Sequence, residues 1–154
     1  MNLQHPNEEE NASAASDGLP AHYAELKKAA GRSADWRARL AAVEELGHYP
    51  HRQVTDILKR LLENDPVYTV QEAAYRQLKT FGEQVSPPSK NRPEPFRGVS
   101  KIALRIKKSL PREHTYEEFR DKFRKMRIDV YDAFEGEKGE AFDEWLRGVW
   151  SNAK

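Results

Sequence analysis

Residues 20–82 repeat themselves with a shift of 32 positions. Leu26 falls on Leu58, Ala29 on Leu61, Ala30 on Leu62 and Trp36 on Tyr68. Further along, Ala38 falls on Val70, Ala41 and Ala42 on Ala73 and Ala74, and Leu46 on Leu78. A period of this length, with helical spacing inside it, is the signature of a repeated helix pair. In the second copy Val54, Ile57, Leu58, Leu61 and Leu62 follow the i, i+3, i+4, i+7, i+8 spacing of a single helical face. Asp65-Pro66 then interrupts the chain, because proline disfavours helical backbone at the residue before it. A second helix is predicted over 67–81, with Gly82 placed to close it.

Two stretches, "DWRARLAAVEELG" and "NDPVYTVQEAAYRQLKTFG", resemble the second helix of HEAT-type repeats. In the first, Asp35, Arg39, Ala41, Ala42, Leu46 and Gly47 stand at the family's positions. In the second, Asp65, Pro66, Val70, Ala73, Ala74 and Leu78 do so, but Gln71 takes the place of the arginine. The resemblance implies a ladder in which arginine and aspartate link neighbouring units, and Gln71 implies that the ladder stops after one rung. The small residues imply close helix approach, at roughly 8–10 Å between axes. Gly47 is expected to end its helix by adopting a positive φ.

The predicted fold class is therefore all-α: an α-α superhelix of two HEAT-like helix pairs, then a C-terminal bundle of three to four helices. Residues 1–18 are polar and acidic and are expected to form a disordered tail, since they cannot bury enough apolar surface to offset the entropy of ordering. Residues 19–82 hold the repeats. Residues 83–98, with Pro87, Pro88, Pro93 and Pro95, read as a linker. Residues 99–154 form the C-terminal module. Val99, Ile102, Ala103, Ile106 and Leu110 line the face of one helix, which Pro111 stops. Thr115 and Glu118 form a capping-box signature before the stripe Tyr116, Phe119, Phe123 and Met126. A third helix with Val130, Tyr131 and Phe134 is expected to end at Gly136, and Phe142, Trp145, Leu146, Val149 and Trp150 mark a fourth. Two repeats alone leave hydrophobic ends open, so this module is expected to pack on the second repeat as a cap; the alternative is an independent domain of about 55 residues, near the lower limit for unassisted folding.

Catalytic chemistry has little to stand on. The chain of 154 residues contains no cysteine, which removes disulfides and thiolate chemistry. His48 and His51 share one Pro-containing turn without a third ligand at metal-site spacing. The His-Glu pairs that hold iron in some HEAT-like hydroxylases do not occur. There is no P-loop, dinucleotide fingerprint or nucleophile elbow. Gly136 and Gly139 form a Gly-x-x-Gly, read as a helix cap and turn rather than a nucleic-acid loop. No cofactor and no metal are expected. The start of the chain lacks the basic and apolar regions of a signal peptide, and no apolar run nears the roughly 20 residues that span a bilayer. A cytoplasmic protein without membrane contact is expected.

Charge is more informative than composition. The net charge of +1 hides an asymmetry, with +6 over residues 99–128 and −4 over residues 129–154. Lys101, Arg105, Lys108 and Arg112 are spaced as one helical stripe, and Lys122, Arg124 and Lys125, with Arg120 and Arg127, form a second cluster. Such stripes can follow a phosphate backbone. They can equally solvate a helix face or pair with Glu137, Glu140, Asp143 and Glu144. No aromatic residue is expected among them, because Tyr116, Phe119 and Phe123 belong to the core.

The leading functional reading is a non-catalytic HEAT-type scaffold or adaptor that binds another protein. The resemblance places its contact surface on the second helices, at Arg37, Glu44, Glu45, Arg76 and Lys79, with Asp35, Arg39, Asp65 and Pro66 as structural repeat residues. The alternative is DNA or RNA binding through the basic C-terminal helices. A third reading, a HEAT-like enzyme, stays open because a fold does not fix an activity.

Overall fold

The computed structural model describes residues 18–90 and 94–154. Residues 1–17, to which the tail expectation applies, and the linker residues 91–93 lie outside the described residues. Every regular element among the described residues is helical. The order is α1 (Tyr23–Ala30), α2 (Trp36–Leu46), α3 (Arg52–Asn64), α4 (Tyr68–Thr80), α5 (Val99–Lys108), α6 (Tyr116–Met126), α7 (Ile128–Lys138), a 3-10 turn (Gly139–Ala141) and α8 (Phe142–Asn152). They fall into two compact units. Among the described residues, the first takes in residues 18–32, Arg37–Asp65 and Val70–Pro88; the second takes in Ser33–Trp36, Pro66–Thr69 and residues 89–90 and 94–154.

In the first unit, α3 buries all five residues of its periodic face, Val54, Ile57, Leu58, Leu61 and Leu62. Each such side chain contributes roughly 1.5–3 kcal/mol. The His51 imidazole starts the helix by accepting the Gln53 N–H through Nδ1 at 3.1 Å. Gly82 closes α4 as expected, at φ +84°. The Gly82 N–H donates to the Lys79 carbonyl and the Glu83 N–H to the Leu78 carbonyl, which satisfies two carbonyls at the helix end.

The expected rung is present. Arg39 Nε donates to Asp65 at 2.8 Å and Nη2 to the other carboxylate oxygen at 3.2 Å, with the two side chains only 6% and 1% exposed. Nη1 donates to the Arg32 carbonyl at 2.9 Å. Asp65 thus joins the end of α3 to the first turn of α2 through a planar, two-pronged contact that lysine could not reproduce. One period later the buried Gln71 takes the arginine's place, and its Oε1 has no hydrogen-bond partner among the described residues.

Gly47 corrects an expectation. It is not in the left-handed region. A Cβ there would lie 2.0–2.9 Å from the Gln77 side chain of α4, which fills the space beside it.

The second unit is a four-helix bundle, α5 to α8, with α5 and α7 each packed against α6 and α8. Its centre is aromatic: Phe119 meets Phe123 edge-on at 5.8 Å, Tyr131 meets Phe142 edge-on at 5.0 Å, and Phe134 stacks on Trp145 at 4.5 Å. Thr115 and Glu118 form the reciprocal capping box at the start of α6. Met126 departs from its expected place in the apolar stripe: it is 41% exposed, because α6 ends there and the chain turns into α7.

Helix α7 also differs from expectation. It runs through Gly136 to Lys138, and the left-handed residue that ends it is Gly139, at φ +57°. Gly136 is buried instead, and a Cβ on it would meet Val67 and Trp36 at 2.8–2.9 Å. The short stretches 33–36 and 66–69 therefore belong to this unit for a clear reason. The Trp36 N–H donates to the Asp132 carboxylate at 3.0 Å, and the Tyr68 N–H donates to Glu137 at 2.6 Å. Asp132 and Glu137 thus accept from two backbone amides of these stretches that open a helix and have no intrahelical acceptor.

Two measurements test this packing. Asp65→Ala leaves a buried guanidinium without its carboxylate and should cost about 3–5 kcal/mol in urea denaturation; a loss below about 1 kcal/mol would show that the pair is solvated. Gly136→Ala should lower stability by about 1–3 kcal/mol through overpacking, although alanine is the better helix former by about 1 kcal/mol. A stabilised Gly136→Ala protein would contradict the close approach.

Candidate functional site

Five positions were expected to form a contact surface on the second helices of the repeats. In the first unit, Arg37 and Glu44 on α2 and Arg76 and Lys79 on α4 are exposed. Glu44 and Arg76 are one repeat period apart and so hold equivalent positions on their helices. Arg76 is paired with Glu72 one turn before it. Glu44 and Lys79 form no ion pair among the described residues. Glu45 differs from its expected role: it is half-buried, accepts the Tyr49 hydroxyl at 3.4 Å and lies 3.5 Å from His22, so it braces α2 toward α1 and the following turn. Of the structural residues, Arg39 and Asp65 form the buried rung, Pro66 is exposed, and Asp35 is half-buried.

The basic residues of the second unit divide sharply. Arg120 lies 3.8 Å from Asp143, and Arg127 pairs with Asp129 at 3.1 Å, which holds the Asp129 carboxyl below its ordinary pKa. Lys107, which looks from its neighbours like part of a charged stripe, turns inward. Its ammonium donates to the carbonyls of Trp150 and Ala153 at 2.8 and 2.7 Å and so caps α8 with a cation. By contrast, Lys101, Arg105, Lys108, Arg112, Lys122, Arg124 and Lys125 have no carboxylate partner among the described residues. Lys122 alone of these is half-buried, and Arg124 lies over the Tyr131 ring at 5.7 Å. The stripe is shorter than its spacing implied, because α5 ends at Lys108 and Arg112 stands in the turn after Pro111. The acidic helices do not absorb these charges: Glu137 accepts a backbone N–H, and Glu140 and Glu144 are exposed.

A polar latch joins α6 to α8. The Tyr116 hydroxyl donates to Asp143 Oδ1 at 2.7 Å, Arg147 donates to the same carboxylate at 3.2 Å, and the Arg147 guanidinium covers the Tyr116 ring at 4.2 Å. Burial, and then the bond to Asp143, push the Tyr116 pKa up. The Tyr116 hydroxyl, and then Arg147, hold the Asp143 carboxyl below its ordinary value.

Beside α5 lies an open cleft of about 630 Å³ whose walls include Phe96, Val99, Trp145 and Val149, with Arg97 and Lys101 at its rim. This revises the expectation that no aromatic side chain stands among the basic ones. Trp145 follows the periodicity of α8 and reads as core, yet it is half-buried. Phe96-Arg97, just before α5, is the one local hint of the cleft: an aromatic and an arginine placed together at the end of a proline-rich stretch. Among the described residues no group of three metal-ligating side chains occurs. His51 is occupied in capping α3, and the exposed His48 lies edge-on to Tyr49 at 6.3 Å. No helix is long and apolar enough to cross a membrane among the described residues.

The latch has a pH signature. A carboxyl whose folded pKa is depressed contributes stability above its unfolded pKa and loses it as pH falls through the folded value. Wild type should therefore melt above Asp143→Asn near neutrality, and the gap should close only below the ordinary aspartate value of 3.8. Thermal melts of the two proteins across acidic pH measure it; a gap independent of pH would remove the charged carboxylate from the explanation.

No curated protein and no solved structure gives a significant match to this chain. The family model described as HEAT repeats matches residues 20–89, the segment that carries the internal repeat and the Arg39–Asp65 rung.

Proposed function

We propose that this chain is a protein-interaction module, a scaffold or adaptor, that engages its partner through the exposed faces of α2 and α4. HEAT repeats generally mediate protein–protein interaction, and extended helical repeats present such surfaces. The observation that carries the reading is the disposition of charge on this face. Glu44 and Lys79 are exposed and form no ion pair among the described residues, while the arginine and aspartate of the repeat are spent internally on the rung. The surface thus offers one acid and one base for a partner to read, flanked by Arg37 and Arg76. Charges so placed set specificity and association rate more than raw affinity.

Affinity purification from native lysate tests this directly, comparing wild type with Glu44→Lys/Lys79→Glu, with and without nuclease. The expected result is a protein recovered by wild type, insensitive to nuclease and depleted by the double substitution. Recovery lost on nuclease treatment would transfer the function to nucleic acid. Recovery of no protein above background would end the proposal.

A further inference from the structure

The second unit carries a surface that the repeats do not account for, and it stands independently of the interaction proposed for α2 and α4. The cleft at the start of α5 is walled by Phe96, Val99, Trp145 and Val149. Trp145 has one face stacked on Phe134, which holds the ring in place, and the Lys138 ammonium lies 5.3 Å from its centre. Among the described residues the one acid at the rim is Glu94, which pairs with that same Lys138 at 3.6 Å. The rest of the rim is basic. Arg97 and Lys101 border the cleft, and Arg105 and Lys108 continue from it along the exposed side of α5, none of the four paired with a carboxylate among the described residues.

An apolar recess opening onto a row of unspent cations selects for an occupant with the complementary order. We infer that this cleft docks an acidic peptide segment of a partner protein. One large apolar side chain of the segment enters between Phe96 and Trp145, and carboxylates that follow it lie along Lys101, Arg105 and Lys108. The dimensions agree. The helix rises about 10 Å from Lys101 to Lys108 at 1.5 Å per residue, the reach of about three extended peptide residues. A volume of about 630 Å³ accommodates one aromatic or branched side chain with its flanking backbone. Nucleic acid fits less well. The basic row is short, Arg112 lies beyond the helix that would extend it, and two of the four apolar walls are valines, which offer no ring for a base to stack on. Apolar anchoring gives the contact affinity, and the flanking charges give it direction.

The probe is a short synthetic peptide with one phenylalanine followed by alternating glutamate and aspartate, labelled with fluorescein and titrated into the full chain. Binding is followed by anisotropy and by the indole and amide resonances of the isotopically labelled protein. Saturable binding is expected, with shifts at the Trp145 indole and at the Val99 and Lys101 amides. Lys101→Glu/Arg105→Glu, both at exposed positions, should weaken it about tenfold or more, and replacing the peptide's phenylalanine by serine should weaken it comparably. Three results would overturn the inference: no saturable binding; binding indifferent to the phenylalanine, which means charge adhesion alone; or tighter binding of an oligothymidylate at the same resonances, which assigns the surface to nucleic acid.

Discussion

The Arg39–Asp65 pair is the contact on which the first unit turns. It is buried, two-pronged and completed by the Arg32 carbonyl, so the guanidinium has partners in three directions. A charge taken out of water is tolerated only when its partners replace the lost hydration, and this geometry does so. The consequence is positional. The end of α3 and the first turn of α2 are held in one register. Gln71 shows the same site without the rung: a buried oxygen with no partner among the described residues, where the preceding period has a charged fork.

The second unit reaches order by other means. Its core is aromatic, and rings packed edge-on or offset fix one another's orientation as well as burying area. Polar contacts at its margin are then selective. Tyr116, Asp143 and Arg147 join α6 to α8, and Lys107 caps α8 from α5. These contacts consume some charges and leave others in solvent. The result is a surface in which Lys101, Arg105 and Lys108 have no carboxylate partner among the described residues and stand beside an apolar recess, although the same short helix contains a lysine that caps α8.

Much of this was readable one element at a time. The face of α3, the break at Asp65-Pro66, the capping box at Thr115 and the closing role of Gly82 all follow from interactions within a few residues, and each stands where the spacing placed it. Local spacing misleads where a neighbour fills the space or a helix ends early. Gly47 and Gly136 resemble helix terminators, yet at each the space for a Cβ is taken by side chains from elsewhere in the chain. Met126 has the right spacing for the core, but the helix ends before anything covers it. Arg112 has the right spacing for the stripe, but Pro111 has already stopped the helix. Local pattern cannot distinguish a glycine needed for its backbone from one needed for its missing side chain.

By itself, then, the sequence determined that the chain is helical, that its first half is a repeated pair and where most helices start and stop. Those features are governed by periodicity, proline and capping chemistry, which act over a single turn. Only the tertiary structure decided which charges are consumed and which remain. Lys107 and Lys108 are neighbours in the chain, yet one caps a distant helix and the other faces water. The cleft between Phe96 and Trp145 was likewise invisible beforehand, because its walls come from segments about fifty residues apart that nothing local relates.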